Sequence, residues 1–170
     1  MNDKFRFHLA MCLGALALLF GSANAQAEDY SYKNDSYVVF NTFAYHFKNA
    51  DKRNAVTPGI GFEYSPTQKL GFHVGTARDS FGYQAKYFGL NYATPRYAAL
   101  GGRVRFIVGA TILNKQYHPN SEAETKVVPL PVVEFTLSER AVLNVSGSPE
   151  IDFGEQHNNA VVFFQFKLNM

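Results

Sequence analysis

Three residues in this sequence, one histidine and an adjacent Asp-Ser pair, form a candidate set for proton-transfer chemistry. Asp79 and Ser80 place a carboxylate and a hydroxyl next to each other, and His46 can pair with them as a general base towards a hydroxyl group. We therefore take His46, Asp79 and Ser80 as candidate catalytic residues. A structural alternative stays open, because Asp-Ser followed by Phe-Gly is ordinary turn chemistry and a histidine in a polar interior can simply be hydrogen-bonded there.

The other histidines are weaker candidates. His73 precedes Asp79 by six residues, which is about 20 Å along a strand at roughly 3.3 Å per residue. His118 and His157 fall in predicted loops that can fold over a site, so they remain candidates. The sequence has no metal-ligand spacing, phosphate-binding glycine loop or nucleophile elbow, so neither a metal nor a cofactor is predicted.

The elements that would position these residues are β-strands. From Tyr37 onward the apolar residues recur with period two, which is the pattern of strands with one apolar face. The last segment shows it best, with Val162, Phe164, Phe166, Leu168 and Met170 on one face and Gln165, Lys167 and Asn169 on the other. The alternation predicts eight strands, at 37–48, 58–65, 69–79, 82–92, 101–114, 125–136, 139–147 and 160–169.

These strands predict an all-β fold, an eight-stranded antiparallel transmembrane β-barrel. Most are close to the 9 to 11 residues that cross a bilayer, and bacterial single-chain barrels have an even number of strands. One set of faces is rich in large apolar groups, whereas the other carries polar groups and glycines. We expect Arg103 and Arg105 to pair inside the barrel with Glu63 or other carboxylates. A soluble exported sandwich or a lipocalin-like barrel is the alternative.

The connections alternate in length, as they do in outer-membrane barrels. Residues 65–68 and 138–140 are short turns, whereas 49–57, 115–124 and 148–159 are longer and more polar. If the first strand starts at the periplasm, the long loops and the Asp79-Ser80 turn face outward.

The first 25 residues have the features of a secretory signal. Lys4 and Arg6 precede an apolar run at 9–20, and Ala23-Asn24-Ala25 supplies the small residues of a cleavage site. The apolar run is too short for a spanning helix, and it contains the only cysteine, Cys12. We expect a signal peptide at 1–25, a periplasmic lead-in at 26–36 and a barrel at 37–170 in the cell outer membrane, without disulfides.

Composition agrees with one folded domain. The 170 residues are 46% hydrophobic and 18% charged, with a net charge of +2. The cations are scattered instead of forming a basic stripe, which argues against nucleic acid as a partner.

Prolines within predicted strands mark weak pairing, because proline lacks a ladder donor. Pro129 and Pro131 imply a gap between their strand and one neighbour, and Pro58 implies another. Such gaps would let a lipid chain pass sideways into the lumen, or the prolines only shape strand ends; the sequence leaves both open.

Together these features resemble the lipid A palmitoyltransferase family (PagP type), whose members are small outer-membrane barrels. The pattern follows the family's order along most of the mature chain. The matching segments are Phe43-Ala44-Tyr45, Pro58 with Gly59, Gly61 and Phe62, Arg78-Asp79-Ser80, Val128-Pro129-Leu130-Pro131-Val132, and Asn158-Asn159 with Val161 and Phe163.

The resemblance implies roles for individual residues. Asp79 and Ser80 fall on the family's essential Asp-Ser pair, while the position of its essential histidine holds Phe40. We take His46, six residues later and of the same inward parity, as the substitute. The glycine with which the family measures its acyl chain corresponds to the neighbourhood of Gly89 or Asn91.

The activity implied is transfer of a palmitoyl or similar chain from a glycerophospholipid to lipid A, by a monomer without a cofactor. His46 would take the proton of a lipid A hydroxyl, Asp79 would orient or stabilise it, and Ser80 would help to hold the ester. Two other classes stay open: a non-enzymatic barrel that binds lipid or a partner, and a lipid A deacylase or phospholipase.

Overall fold

The computed structural model describes residues 35–99, 102–117, 121–148, 150–153 and 156–170. The predicted signal peptide and all but the last two residues of the predicted lead-in lie outside these ranges. So does His118, and of His157 only the backbone is described. No helix in the described ranges has the length and apolar character to cross a membrane.

Eleven strands and one 3-10 turn, Ala50–Lys52, form in these residues. In chain order the strands are β1 (Asp35–His46), β2 (Val56–Ser65), β3 (Leu70–Arg78), β4 (Gln84–Ala93), β5 (Tyr97–Ala99), β6 (Gly102–Gln116), β7 (Ala123–Thr136), β8 (Ala141–Ser148), β9 (Ile151–Phe153), β10 (Gln156–Asn158) and β11 (Val161–Asn169). All eight predicted strands are present, with ends close to those predicted. The sequence does not predict β5, β9 and β10, because three residues are too few to show alternation.

The eight long strands close into a barrel, which confirms the predicted fold. Each pairs antiparallel with the next long strand along the chain, and β1 pairs with β11 to complete the ring. Closure removes the free edges that an open sheet would expose. The short strand β5 pairs with the start of β6, while β9 and β10 form a separate hairpin.

The barrel is apolar on its outer wall and polar in its lumen. On β11, the side chains of Phe166 and Leu168 are 43% and 47% exposed, whereas Lys167 between them is 0% exposed. Phe88, Leu90 and Tyr92 repeat this outward pattern on β4. These exposures confirm the predicted faces of the last strand. A water-soluble barrel has the opposite arrangement, with polar side chains outside and apolar side chains inside.

The two ends of the barrel differ in their connections. At one end, here named the loop end, the strands are connected by residues 47–55, 79–83, 117–122 and 149–160. At the other end, here named the turn end, they are connected by residues 66–69, 94–101 and 137–140. Because β1 runs from the turn end to the loop end, His46 lies at the loop end, beside the turn that contains Asp79 and Ser80.

Five buried side chains and the partly buried Arg96 fill the lumen at the turn end; the five are Asp35, Glu63, Arg105, Glu134 and Lys167. This charge cluster contains three cations and three carboxylates. Lys167 Nζ lies 2.6 Å from Glu134 Oε2 and 2.8 Å from Glu63 Oε1, and Arg105 Nη2 donates to Glu134 Oε2 over 2.8 Å. The predicted pairing of Arg105 with interior carboxylates is thus observed, with Glu134 as its main partner.

Candidate functional site

A β-bulge sets the direction of His46. Relative to β11, strand β1 contains one extra residue, Thr42, because Asn41 pairs with Gln165 while Phe43 pairs with the adjacent Phe164. The Thr42 hydroxyl donates to the carbonyl oxygen of Phe164 over 3.0 Å. Bulges are frequent next to functional sites, where they re-aim side chains.

The bulge reverses the alternation along β1. Before Thr42, odd-numbered residues such as Tyr37 and Val39 are buried; after it, Ala44 is buried and Tyr45 is 50% exposed. His46 therefore faces inward, as predicted. Phe40 does not share that face: it is 38% exposed and pairs with the outward-facing Phe166 and Ile60. The assumption of equal parity for Phe40 and His46 is wrong because the bulge lies between them.

The turn between β3 and β4 is fixed by Asp79. Its Oδ1 accepts hydrogen bonds from the backbone N–H groups of Phe81 and Tyr83, both at 2.9 Å. Gly82 has φ 89°, a conformation that glycine adopts without the penalty of a Cβ atom. The ordinary turn chemistry considered as an alternative is thus present, and it occupies one carboxylate oxygen of Asp79.

The turn brings Ser80 against His46. His46 Nε2 and Ser80 Oγ are 2.6 Å apart, although the two residues are separated by 34 positions in the chain. Ser80 is only 6% exposed, and the N–H of Asn54 in the preceding loop donates to its carbonyl oxygen over 2.8 Å. A serine hydroxyl within hydrogen-bonding distance of a histidine is the arrangement of an activated nucleophile and its base.

Asp79 lies beside this pair. Among the described residues, no hydrogen bond joins it to His46. Its Oδ2 is buried and has no hydrogen-bond partner in that part of the chain. Arg53 and Lys115 are within electrostatic range of its carboxylate. Burial lowers the pKa of Arg53, which the charge of Asp79 opposes, and the guanidinium lies 3.9 Å from the centre of the Phe81 ring.

A cavity of about 150 Å³ leads from this site into the barrel. Asp79 and Ser80 line its loop end, and Glu63 and Asn91 line its deep end. Its walls carry apolar side chains from several strands: Ala77, Leu113, Val128, Leu130 and Phe163. The lumen thus joins a polar mouth to an apolar wall and a charged floor.

A polar layer crosses the cavity. Asn41 donates from its amide to the hydroxyl oxygen of Tyr87 over 3.0 Å and accepts from the amide of Gln165 over 2.6 Å. Tyr87 lies over Gly61 and Gly75, where a Cβ atom would come within 2.4 Å of its hydroxyl oxygen. These glycines therefore make room for the phenol ring.

The backbone ladder between β7 and β8 stops beside Pro129 and Pro131. Strand β7 pairs with β6 along its whole length, but its ladder with β8 ends at Val132 and Ser146. The Pro131 carbonyl accepts a hydrogen bond from the Ser146 hydroxyl over 2.8 Å, so the odd-numbered positions of β7 direct their backbone groups towards β8. Prolines there have no N–H to continue the ladder. Within the described residues, β7 and β8 are thus not paired beside these prolines, which agrees with the predicted weak pairing; passage of a lipid chain there stays a prediction.

The other predicted binding residues are distributed along the lumen and its wall. Pro58 is exposed on the outer wall at the irregularity between β1 and β2. Asn91 lines the deep cavity, but a Cβ atom on Gly89 would lie 2.6 Å from the His73 ring, which covers it. His73 itself is buried, with Nε2 3.0 Å from the Thr111 hydroxyl oxygen, far from Ser80 along the strand.

Sequence reasoning missed Lys115 and Arg53. Alternate residues of β6 face the lumen, and Lys115 belongs to the same alternating set as Arg103 and Arg105. Its inward direction could therefore have been inferred from the sequence. Arg53 lies in a loop, where no periodicity indicates direction. No group of three or more potential metal-ligating side chains occurs in the described residues.

The fold and the lumen define a small β-barrel of the outer-membrane type. Its structure is similar to the N-terminal β-barrel domain of Pseudomonas aeruginosa OprF, with a TM-score of 0.50 and 12% sequence identity, over 81% of this chain and 100% of that one. At this identity the likeness concerns the fold alone. No protein-family model and no curated protein matches the chain.

Proposed function

We propose that this barrel resides in the outer membrane as a monomer and transfers an acyl chain from a glycerophospholipid to lipid A. The observation that carries the proposal is the 2.6 Å contact between His46 Nε2 and Ser80 Oγ at the mouth of the cavity. The apolar outer wall supports the membrane location, because such a surface would be unfavourable in water.

The reaction requires only proton transfer and ester exchange. His46 takes the proton of an attacking hydroxyl, whose oxygen forms the new acyl ester bond; the bond to the glycerol oxygen breaks, and that oxygen receives the proton. In a single step the attacking hydroxyl belongs to lipid A. In a two-step route it belongs to Ser80, and a lipid A hydroxyl then attacks acyl-Ser80 and gives its proton through His46 to Ser80 Oγ. Arg53 and Lys115 are within electrostatic range of both Asp79 and His46, so their charges would stabilise negative charge on the reacting ester.

The end of the β7–β8 ladder beside Pro129 and Pro131, here named the seam, supports a route for the acyl chain. Val128 and Leu130, on the same strand, line the cavity. A chain that enters between β7 and β8 would meet these side chains first, and each buried methylene contributes about 0.8 kcal/mol. The polar layer of Asn41, Tyr87 and Gln165 and the charge cluster would limit how deep the chain can reach.

The test is the mass of lipid A in a bacterium that lacks this activity and expresses the protein. We expect a gain of one acyl chain, which disappears in Ser80→Ala and in His46→Gln. Ser138→Ala is the matched control, since Ser138 is an exposed serine in the turn between β7 and β8. Detection of acyl-Ser80 in the purified protein would distinguish the two-step route from the direct one. An unchanged lipid A mass at good expression would contradict the proposal.

The His46–Ser80 contact also supports a second candidate, a lipid deacylase or phospholipase. Water replaces lipid A as the acceptor in that case, and the same base and hydroxyl serve. This activity would decrease the mass of lipid A by one acyl chain or release fatty acid from phospholipid. A barrel without enzymatic activity would do neither.

A further inference from the structure

Polar side chains interrupt the apolar outer wall near the loop end. They occupy outward positions on four adjacent strands, in register with one another, and form what we name the outer-wall patch: Thr76, Arg78, Gln84, Lys86, Asn114 and Thr125. Val74, Phe88, Ile112 and Val127 lie on the same face nearer the turn end, and each is at least 42% exposed. The patch thus borders the apolar wall at the level where lipid headgroups would lie.

Two cations dominate the patch. Arg78 pairs with Gln84, and Lys86 is two residues further along β4, so the two cations are diagonal neighbours about 7 to 8 Å apart at their backbones. Both are exposed, and neither forms an ion pair within the described residues. The amides, in contrast, have partners on neighbouring strands: Gln84 donates to Thr76, and Asn114 donates to Thr125 over 2.8 Å.

We propose that the outer-wall patch binds a phosphate group of lipid A, with Arg78 and Lys86 as the cations. The proposal rests on the function proposed above, for which it names the binding site of the acceptor. An arginine fork binds two phosphate oxygens, and Lys86 supplies a second charge. The Gln84 and Asn114 side chains lie beside these cations, where they can bond to the sugar hydroxyls of a phosphorylated glycolipid.

The position of Arg78 connects this site to the candidate catalytic residues. Arg78 also borders the lumen cavity, and it is followed directly by Asp79 and Ser80, which are buried and line the same cavity. A glycolipid held by Arg78 on the outer wall would therefore have its sugar at the barrel edge next to Ser80.

The experiment measures binding of lipid A to the purified protein in detergent by native mass spectrometry, in the Ser80→Ala background so that turnover has no part. We expect Arg78→Gln with Lys86→Gln to weaken binding roughly twenty-five-fold, since each cation near a membrane surface contributes about a factor of five. Lys69→Gln with Arg140→Gln removes two exposed cations at the turn end and should leave binding unchanged. Arg78→Lys with Lys86→Arg keeps the charge and should retain most of the binding.

Two further ligands assign the source of the phosphate. The Ser80→Ala protein should bind dephosphorylated lipid A weakly. Its affinity should match that of the double variant, Arg78→Gln with Lys86→Gln in the same background, for phosphorylated lipid A. Binding of phosphatidylglycerol should be affected little by the double variant; an equal loss for both lipids would overturn the assignment to lipid A. Unchanged lipid A binding in the folded double variant would overturn the site itself. Because turnover is absent, failure of the acyltransferase proposal would leave this result interpretable.

Discussion

The two ends of the lumen hold buried charge in opposite ways. At the turn end, the carboxylates and cations of the charge cluster form direct ion pairs with one another. At the loop end, Asp79 retains a buried oxygen without a partner in the described residues, and the nearby cations Arg53 and Lys115 stay at electrostatic range.

Two arginines outside the long strands show the difference. Burial by itself lowers the pKa of Arg96, but Glu134, Tyr37 and Asp35 more than reverse this, so its pKa is raised. Burial also lowers the pKa of Arg53, and Asp79 does not reverse it. The charges of the cluster are thus paired with one another, whereas those at the loop end are only partly compensated.

The strongest test of this difference is Glu134→Gln. Glu134 is fully buried and contacts Lys167, Arg105 and Arg96, so its loss leaves buried cations with too few carboxylates. We expect the free energy of unfolding to fall by about 3 to 5 kcal/mol, measured by urea denaturation in lipid vesicles. Glu139→Gln, at an exposed turn position, should change it by less than about 0.5 kcal/mol. A similar loss in both variants would show that the cluster has no special role.

Much of the fold could be predicted, because alternation recurs in eight segments and each repeats the same requirement for an apolar outer face. The inward direction of Lys167 follows from this rule alone. The partners within the charge cluster do not, because Glu134 and Lys167 are 33 residues apart and their contact depends on the order of strands around the ring. The sequence indicates which charges are inside without indicating which of them meet.

The candidate site was less accessible to prediction. Adjacent Asp79 and Ser80 are visible in the sequence, and so is a nearby inward histidine. The bulge at Thr42 is not, because it appears only when β1 is aligned with β11, more than 100 residues later. His46 was assigned to the correct face although Phe40 was not, and the physical reason is that one extra residue reverses every side chain beyond it.

Deletion of Thr42 tests that reason. Without the extra residue, β1 and β11 would pair in continuous register and His46 would turn outward, so acyl transfer should fall at least about a hundredfold. Thr42→Ala, which keeps the residue and loses only its hydroxyl, should retain most of the activity. Lipid A mass spectra report the result for both variants.

A thiol at position 46 reports the direction of the side chain independently of activity. The only natural cysteine is Cys12, in the predicted signal peptide. His46→Cys should react with a water-soluble maleimide through the loop end, and the same substitution combined with deletion of Thr42 should react much more slowly. Equal rates would mean that the bulge does not orient residue 46.

The smallest expected effect concerns the seam between β7 and β8. Pro129→Val with Pro131→Val restores two N–H groups on the side that faces β8, so the ladder can extend beyond Val132 and Ser146. We expect each new hydrogen bond to stabilise the barrel by roughly 0.5 to 1.5 kcal/mol in urea denaturation. Pro95→Val removes an exposed proline at the turn end and should add no ladder bond. If acyl chains enter through this seam, the stabilised variant should also transfer them more slowly; an unchanged rate together with higher stability would place the entrance elsewhere and leave the seam as a strand end only.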